Sequence, residues 1–325
     1  MVSAGLSQPR ALNTKAAARW ASGPYQMGIL ATPGLFFDEL DHQSAHRWLI
    51  PLLKTGMLSG RMRALPVIIA LLLAALPAAA KAPPPEVHGK SAILVDVRSG
   101  RVLFSKNSRE HRAVASTQKL LTALIIAESG NLWERITIRP EDTAAAPTKL
   151  YLKAGQTYSR FELLQALLIK SPNDAALALA RSNAGSYEAF ALKMNRRARA
   201  MGASSSRFLN PHGLPAEGQF STARDIAIIA RNAYANPVIR RIVATPRAEF
   251  RFADGRVRQL VNTNRVLHQA PWCNGMKTGF TNAAGHCLVS SGQNNGRDVI
   301  AVVLGSNKAN VYTDSKRLLE WGLQL

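Results

Sequence analysis

The chain reads as an α/β protein: one sheet assembled from both ends of the sequence, flanked by helices, with a helical lobe inserted between the two strand regions. Three observations carry this expectation. Strand patterns occur near residues 91–105 and return over residues 275–304, helical patterns fill residues 116–234, and an amphipathic pattern closes the chain at residues 312–323. A folded part of this size buries a substantial core as one two-lobed domain.

Taken in order, residues 82–85 form a Pro-rich lead-in. Residues 91–97 and 101–105 alternate apolar and polar around Arg98-Ser99-Gly100, which predicts a hairpin. The first helix is expected from Ser116 to a cap at Ser129-Gly130, apolar on every side after Lys119 and so central to the core. Residues 150–159 look irregular or weakly extended. Ser159 and Glu162 make a capping box ahead of a second helix that breaks at Ser171-Pro172-Asn173. Helices are expected over residues 174–184 and 186–201, the latter amphipathic and basic. Pro and Gly mark residues 210–220 as a loop, and Ser221 is the expected cap of a helix running to Tyr234. A small hairpin around Asp254-Gly255 precedes strands at residues 275–281, 285–290 and 299–304.

Residues 1–61 show no clear periodicity and are expected to be a leader upstream of the true start, which is placed at Met57 or Met62. Arg61 and Arg63 precede an apolar run of about a dozen residues that ends in Ala78-Ala79-Ala80. A basic region, a short apolar core and a small-x-small end make a secretory signal peptide over residues 62–80, cleaved after Ala80. The core is too short for a permanent membrane span. Of the 325 residues, those from Lys81 onward carry 34 Lys plus Arg and 17 Asp plus Glu, a net charge of +17. That balance favours anionic partners, and for an exported protein these are the anionic wall or a membrane surface, in loose contact. Nucleic acid is not an expected partner, because no basic block is interleaved with aromatics. Cys273 and Cys287 are expected as free thiols: a turn near Asn282 sets Cys287 opposite a residue near Thr278, leaving Cys273 about five residues, or ~16 Å, along the strand. No His or Cys cluster has ligand spacing, so no metal site is expected, and no cofactor.

Ser116 and Lys119 lie one helical turn apart, so an amine can reach a hydroxyl. Alone, this spacing arises often by chance. Two further elements follow in order: Ser171-Pro172-Asn173 between helices and Lys277-Thr278-Gly279 on a strand. Lys54-Thr55-Gly56 repeats the last triplet before the signal peptide, where no strand precedes it, and is a chance match.

With the longer strings Phe208-Leu209-Asn210-Pro211-His212-Gly213-Leu214, Ser221-Thr222-Ala223-Arg224-Asp225 and Phe280-Thr281-Asn282-Ala283-Ala284-Gly285, the region from about Glu86 to Leu325 resembles the penicillin-recognising serine enzymes, and among them the D-alanyl-D-alanine carboxypeptidases of peptidase family S11. The resemblance implies a beta-lactamase/transpeptidase-like fold, with an antiparallel five-stranded sheet flanked by helices and an inserted all-helical lobe. It implies that peptidoglycan stem peptides are substrates and β-lactams are inhibitors. Ser116 is then the nucleophile, Lys119 its base when neutral, and Ser171 the proton relay to the leaving amine. Asn173 would bond the substrate backbone and hold Lys119, Lys277 and Thr278 would bind the terminal carboxylate, and Gly279 would let the substrate backbone approach. The backbone N–H groups of Ser116 and Phe280 would form the oxyanion hole.

Other residues are weighed beside these. His212 invites a triad with Ser116 and Asp225, but a loop histidine with local hydrogen bonds is the expectation, since Lys119 supplies the base. Asp225 reads equally as a helix first-turn acid. Glu217 does not sit in the Glu-x-x-Leu-Asn pattern of a class A beta-lactamase, so an acyl-enzyme with penicillin is expected to persist. The motifs do not separate a carboxypeptidase from a DD-endopeptidase that cuts crosslinks, and a wall-binding scaffold with an idle site has no need of all six motif side chains. The 46 residues after Gly279 suffice to finish the sheet and add one helix, so neither a further β-rich domain nor an anchoring helix is expected.

Overall fold

A computed structural model describes residues 82–145 and 147–325. The expectations for residues 1–80 lie outside the described residues. The central sheet is antiparallel, with strands in the order β2-β1-β9-β8-β7. Its strands are β1 (Ser91–Asp96) and β2 (Val102–Lys106) from the start of the described chain, and β7 (Cys273–Thr281), β8 (Gly285–Asn294) and β9 (Arg297–Ser306) from its end. Both ends therefore build one sheet, joined where Ser91–Asp96 pairs antiparallel with β9.

Strand alternation divides the core between the two faces. Ile93 and Val95 of β1, with Ile300, Val302 and Leu304 of β9, face one hydrophobic cluster. Ala92 and Leu94, with Val299, Ala301 and Val303, face the other. The first cluster is shared with helices α1 (Lys119–Glu128), α2 (Arg160–Ile169), α3 (Asn173–Ala184), α4 (Tyr187–Ala200), α5 (Ala223–Ala235) and α6 (Pro237–Val243). The second is covered by the closing helix α7 (Asn310–Gln324), which lies close on β1: a Cβ added at Gly322 would sit 2.6 Å from Leu94 Cδ2. Every residue of α1 from Lys119 to Ile126 is buried, which fits the all-round apolar pattern of the sequence. The hydroxyl and carboxylate of Ser159 and Glu162 form the expected capping box at α2.

Several elements differ from expectation. The first helix begins as a 3-10 turn at Ala115–Gln118 and becomes α-helical only at Lys119. Thr222, not Ser221, caps α5, its hydroxyl accepting from Asp225 N. Residues 157–159 form β4 (Thr157–Ser159), paired with the unforeseen β3 (Arg135–Thr137). The hairpin near Asp254 is β5 (Arg247–Arg251) and β6 (Val257–Val261). Cys273 and Cys287 are free and buried; Cys287 stands opposite Gly279 and Cys273 opposite Gly292, far apart on the β7–β8 pair. Among the described residues no helix is long and apolar enough to cross a membrane, and no group of three His, Cys, Asp or Glu side chains is arranged to hold a metal ion.

Candidate active site

The three separated motifs meet at the junction of the sheet and the helical lobe. Ser116 sits in the 3-10 turn ahead of α1, Ser171 and Asn173 at the break between α2 and α3, and Lys277, Thr278 and Gly279 on β7. Because β7 is an edge of the sheet, its outer side is free of a further strand and lies against the Ser116 turn.

Two glycines determine how closely that turn is held. A Cβ on Gly279 would lie 2.8 Å from Ser116 N and 3.1 Å from Thr117 N. On Gly213, at φ +87°, it would lie 2.1 Å from Ala115 O. The peptide that carries the nucleophile is thus clamped between β7 and the 210–214 loop, and no side chain fits on either face. Gly279 makes room for the protein's own nucleophile turn. The loop is fastened in turn: Gln118 Nε2 donates to Asn210 O at 2.7 Å, and Thr122 Oγ1 to Pro211 O at 2.7 Å. Asn210 Oδ1 accepts from Gly213 N at 2.7 Å. Ala115 and Ser171 are held at φ +48° and +68°, a costly region for residues with a Cβ that persists only where the surroundings over-determine it.

At the centre is a fully buried amine. Lys119 Nζ lies 3.0 Å from Ser116 Oγ, 3.0 Å from Ser171 O, 3.2 Å from Ser171 Oγ and 2.6 Å from Asn173 Oδ1. The carbonyl and the amide oxygen can only accept, which uses two N–H bonds of a neutral amine. Its lone pair is then left for a serine hydroxyl. Burial is the main force depressing the Lys119 pKa well below the usual lysine value, Lys277 adds to it, and Asp174 opposes it. Lys277 is itself fully buried, with Nζ donating to Thr278 O at 2.9 Å, and burial pushes it down to about 7. Burial thus works against a charge on either amine, and at Lys119 the Lys277 charge adds to it.

Lys277 is fully buried and is not among the residues lining the groove, and its charge acts on Lys119. Thr278 does face the groove, sharing a 2.6 Å hydrogen bond with the Thr263 hydroxyl. Asn173 has both ends of its amide engaged, Oδ1 by Lys119 and Nδ2 by Pro147 O at 2.6 Å. Phe280 is 55% exposed and stacks on His286, ring centroids 4.4 Å apart. The groove itself measures about 650 Å³ and is lined by Ser116, Ser171, Thr263, Arg265, Thr278 and Tyr312 among others.

His212 does not form a triad. It offers its backbone oxygen to Ser116 Oγ at 3.3 Å, while its Nδ1 accepts from Leu214 N. Burial, then Lys119, lower its pKa to about 4, so the ring is neutral. Asp225 accepts from Ser206 Oγ and belongs to the first turn of α5. Glu217 is exposed in its loop and does not line the groove.

Three contributors were missed from the sequence. Asp174, next to Asn173, is fully buried and accepts backbone N–H bonds from Leu150, Tyr151 and Leu152. It ties the strap carrying Pro147 and Thr148 to α3, and a buried carboxylate directly after a Ser-x-Asn break was the available signal. Thr263 and Arg265, on the far wall, come from a segment with no motif of its own.

Comparison with known proteins agrees with this geometry. The profile of the D-alanyl-D-alanine carboxypeptidase family, peptidase family S11, matches residues 78–308. The chain is 36% identical over 225 residues to D-alanyl-D-alanine carboxypeptidase DacF of Bacillus subtilis, covering 68% of this chain and 58% of that protein; it thus spans less than two thirds of that relative. It is 33% identical over 254 residues to a D-alanyl-D-alanine endopeptidase of Escherichia coli, covering 75% and 80%. The crystal structure of a D-alanyl-D-alanine carboxypeptidase from Mycobacterium tuberculosis superposes with a TM-score of 0.72 at 33% identity, covering 76% of this chain and 95% of that one. From its three motifs, its sheet and helical lobe, and these similarities, the chain belongs to the D-alanyl-D-alanine carboxypeptidase family, S11.

Proposed function

We propose that this protein removes the terminal D-alanine from peptidoglycan pentapeptides through an acyl-enzyme on Ser116, and that β-lactams acylate the same serine. The observation that carries the reading is the surroundings of Lys119: a buried amine with two obligate acceptors and a serine hydroxyl 3.0 Å away is set up to take that proton. As Ser116 Oγ attacks the D-alanyl carbonyl, its proton passes to Lys119. Ser171, within 3.2 Å of the same amine, relays it to the leaving nitrogen as the C–N bond breaks. Water then attacks the ester and releases the shortened peptide. The N–H groups of Ser116 and Phe280 receive the oxyanion, supported by the position of Gly279 against Ser116 N. Thr278 takes the terminal carboxylate, in a field made positive by Lys277 and Arg265, and the second N–H of Asn173 meets the substrate backbone.

Residues 81–325 form the peptidase domain in this reading, and residues 62–80 a signal peptide cleaved near Ala80, after a leader of residues 1–61. That places the enzyme in the periplasm or cell envelope, with its +17 charge in loose contact with anionic wall or membrane. Incubation of the full chain with a pentapeptide and with a crosslinked dimer, read by mass spectrometry, tests the reaction. Release of D-alanine from the pentapeptide is expected. Labelling by a fluorescent penicillin vanishes in Ser116→Ala; persistent label there would remove Ser116 from its role.

A further inference from the structure

The groove continues beyond Tyr312. Arg265 and Tyr312 line it and also line a second pocket of about 450 Å³, together with Lys308, Lys316, Arg317 and Glu320. The Arg265 guanidinium lies 5.2 Å from the centroid of the Tyr312 ring, so this stacked pair is the shared wall between the two spaces.

The second pocket is strongly basic. Arg265, Lys308, Lys316 and Arg317 contribute four cationic side chains, against the one carboxylate of Glu320. Lys316 Nζ lies 3.8 Å from that carboxylate. Among the described residues, Arg265, Lys308 and Arg317 have no acidic partner within 4.0 Å. The other acid of α7, Asp314, is fully buried and occupied by His88 and Gly89 N–H groups. Burial first, then Lys308 and Arg265, hold His286 on the groove wall below its usual pKa, so the field of the pocket reaches the groove. Three unpaired cations around a concave space favour a ligand carrying carboxylates.

Its place along the groove identifies that ligand. With the acyl carbon at Ser116 and the terminal carboxylate at Thr278, the groove open to a longer leaving group runs along Thr263 to Arg265 and Tyr312, the residues it shares with the basic pocket. A free D-alanine terminus stops at Thr278. When the scissile carbonyl is instead joined to the amine of a second stem peptide, the leaving strand continues in that direction and carries carboxylates of its own.

We propose that the basic pocket formed by Lys308, Lys316 and Arg317 is a subsite for the leaving strand of crosslinked peptides, an acidic peptide joined through its amine to the D-alanyl carbonyl. The inference rests on the acyl-enzyme reading and adds crosslinks to the substrate class. In each turnover the Ser116 Oγ–C bond forms and the amide C–N bond breaks, the serine proton going to the departing amine. One water then hydrolyses the ester, leaving a free carboxyl group and a free acidic strand.

The test compares the full chain with a variant carrying Lys308→Gln, Lys316→Gln and Arg317→Gln, all surface positions on or beside α7. The substrates are a linear pentapeptide and a crosslinked muropeptide dimer. The expected result is a rise of about tenfold in KM for the dimer, the scale of three exposed charge contacts. Pentapeptide kinetics and the rate of penicillin acylation stay the same. Raising the salt concentration weakens dimer cleavage in the parent chain more than in the variant. Equal effects on both substrates, no effect on the dimer, or no dimer cleavage by the parent chain overturns the proposal. Absence of penicillin label on the parent chain, or its persistence in Ser116→Ala, overturns the acyl-enzyme reading instead, so the two failures are distinguishable.

Discussion

Replacing Gly279 by alanine probes the clamp around the nucleophile with one methyl group. The new Cβ would start 2.8 Å from Ser116 N, 3.0 Å from Ala115 Cβ and 3.1 Å from Thr117 N. Ordinary van der Waals contact begins at 3.4 Å, so strand and turn must separate by about 0.6 Å. These neighbours are backbone and a short side chain, and none can rotate away. Withdrawal of the turn is blocked on its other side by Gly213 packing on Ala115. Overpacking of this kind costs about 1–3 kcal/mol, which for a domain of this size lowers Tm by roughly 2–12 °C. The larger effect falls on chemistry: displacing a reacting group by the better part of an ångström costs on the order of 10²-fold in rate. Stopped-flow acylation by a fluorescent penicillin, with thermal melting alongside, reads both quantities. Gly155→Ala is the control, since Gly155 has φ +84° but open space around it; it should lower Tm and leave acylation intact. If Gly279→Ala acylates at the parent rate, the clamp does not position Ser116 and the argument fails.

Three further variants test the site. Lys277→Gln removes a positive charge that helps to depress Lys119, so the acid limb of the acylation pH profile should move to higher pH; a pure loss of substrate affinity with no such shift would show that Lys277 acts elsewhere. The same variant tests stability. Lys277 has a folded pKa of about 7 against 10.5 unfolded, so the unfolded chain binds more protons across that window and stability rises with pH through it. Denaturant melts should show a shallower rise in the variant. Asp174→Asn deprives the Leu150, Tyr151 and Leu152 N–H groups of a charged acceptor and should cost about 2–4 kcal/mol, with hydrogen exchange accelerated at those three amides. His212→Gln should keep penicillin acylation within a few-fold of the parent rate at pH 7, because its ring is neutral and does not hydrogen-bond Ser116; a loss of 10³-fold or more would restore the triad.

Much of this architecture was legible in local chemistry. The Ser159–Glu162 box, the Asp254-Gly255 turn and the apolar run after Lys119 each announced an element, because cap, turn and burial signals act within a few residues. β3 was missed because three residues carry no periodicity of their own and its partner β4 is distant in sequence. α6 began with a readable signal, Asn236 capping ahead of Pro237, that was passed over. The motif residues did converge. Packing between distant segments decides the rest: no pattern in Lys277-Thr278-Gly279 says that the lysine is fully buried, or that the glycine lies against Ser116 N. Arg265 and the α7 lysines were visible only as scattered charge until the fold brought them to one rim.

The pairing of β1 with β9 also sets an order of events in time. Ser91 and Leu304, neighbours in the sheet, leave the ribosome more than 200 residues apart. β7 reaches β1 only through β8 and β9, so the strand that buttresses Ser116 has no fixed seat until nearly the whole chain has emerged. Contacts of such long sequence separation make folding slow. The turn that carries Ser116 therefore gains its buttress only when the last strands join the sheet, late in folding.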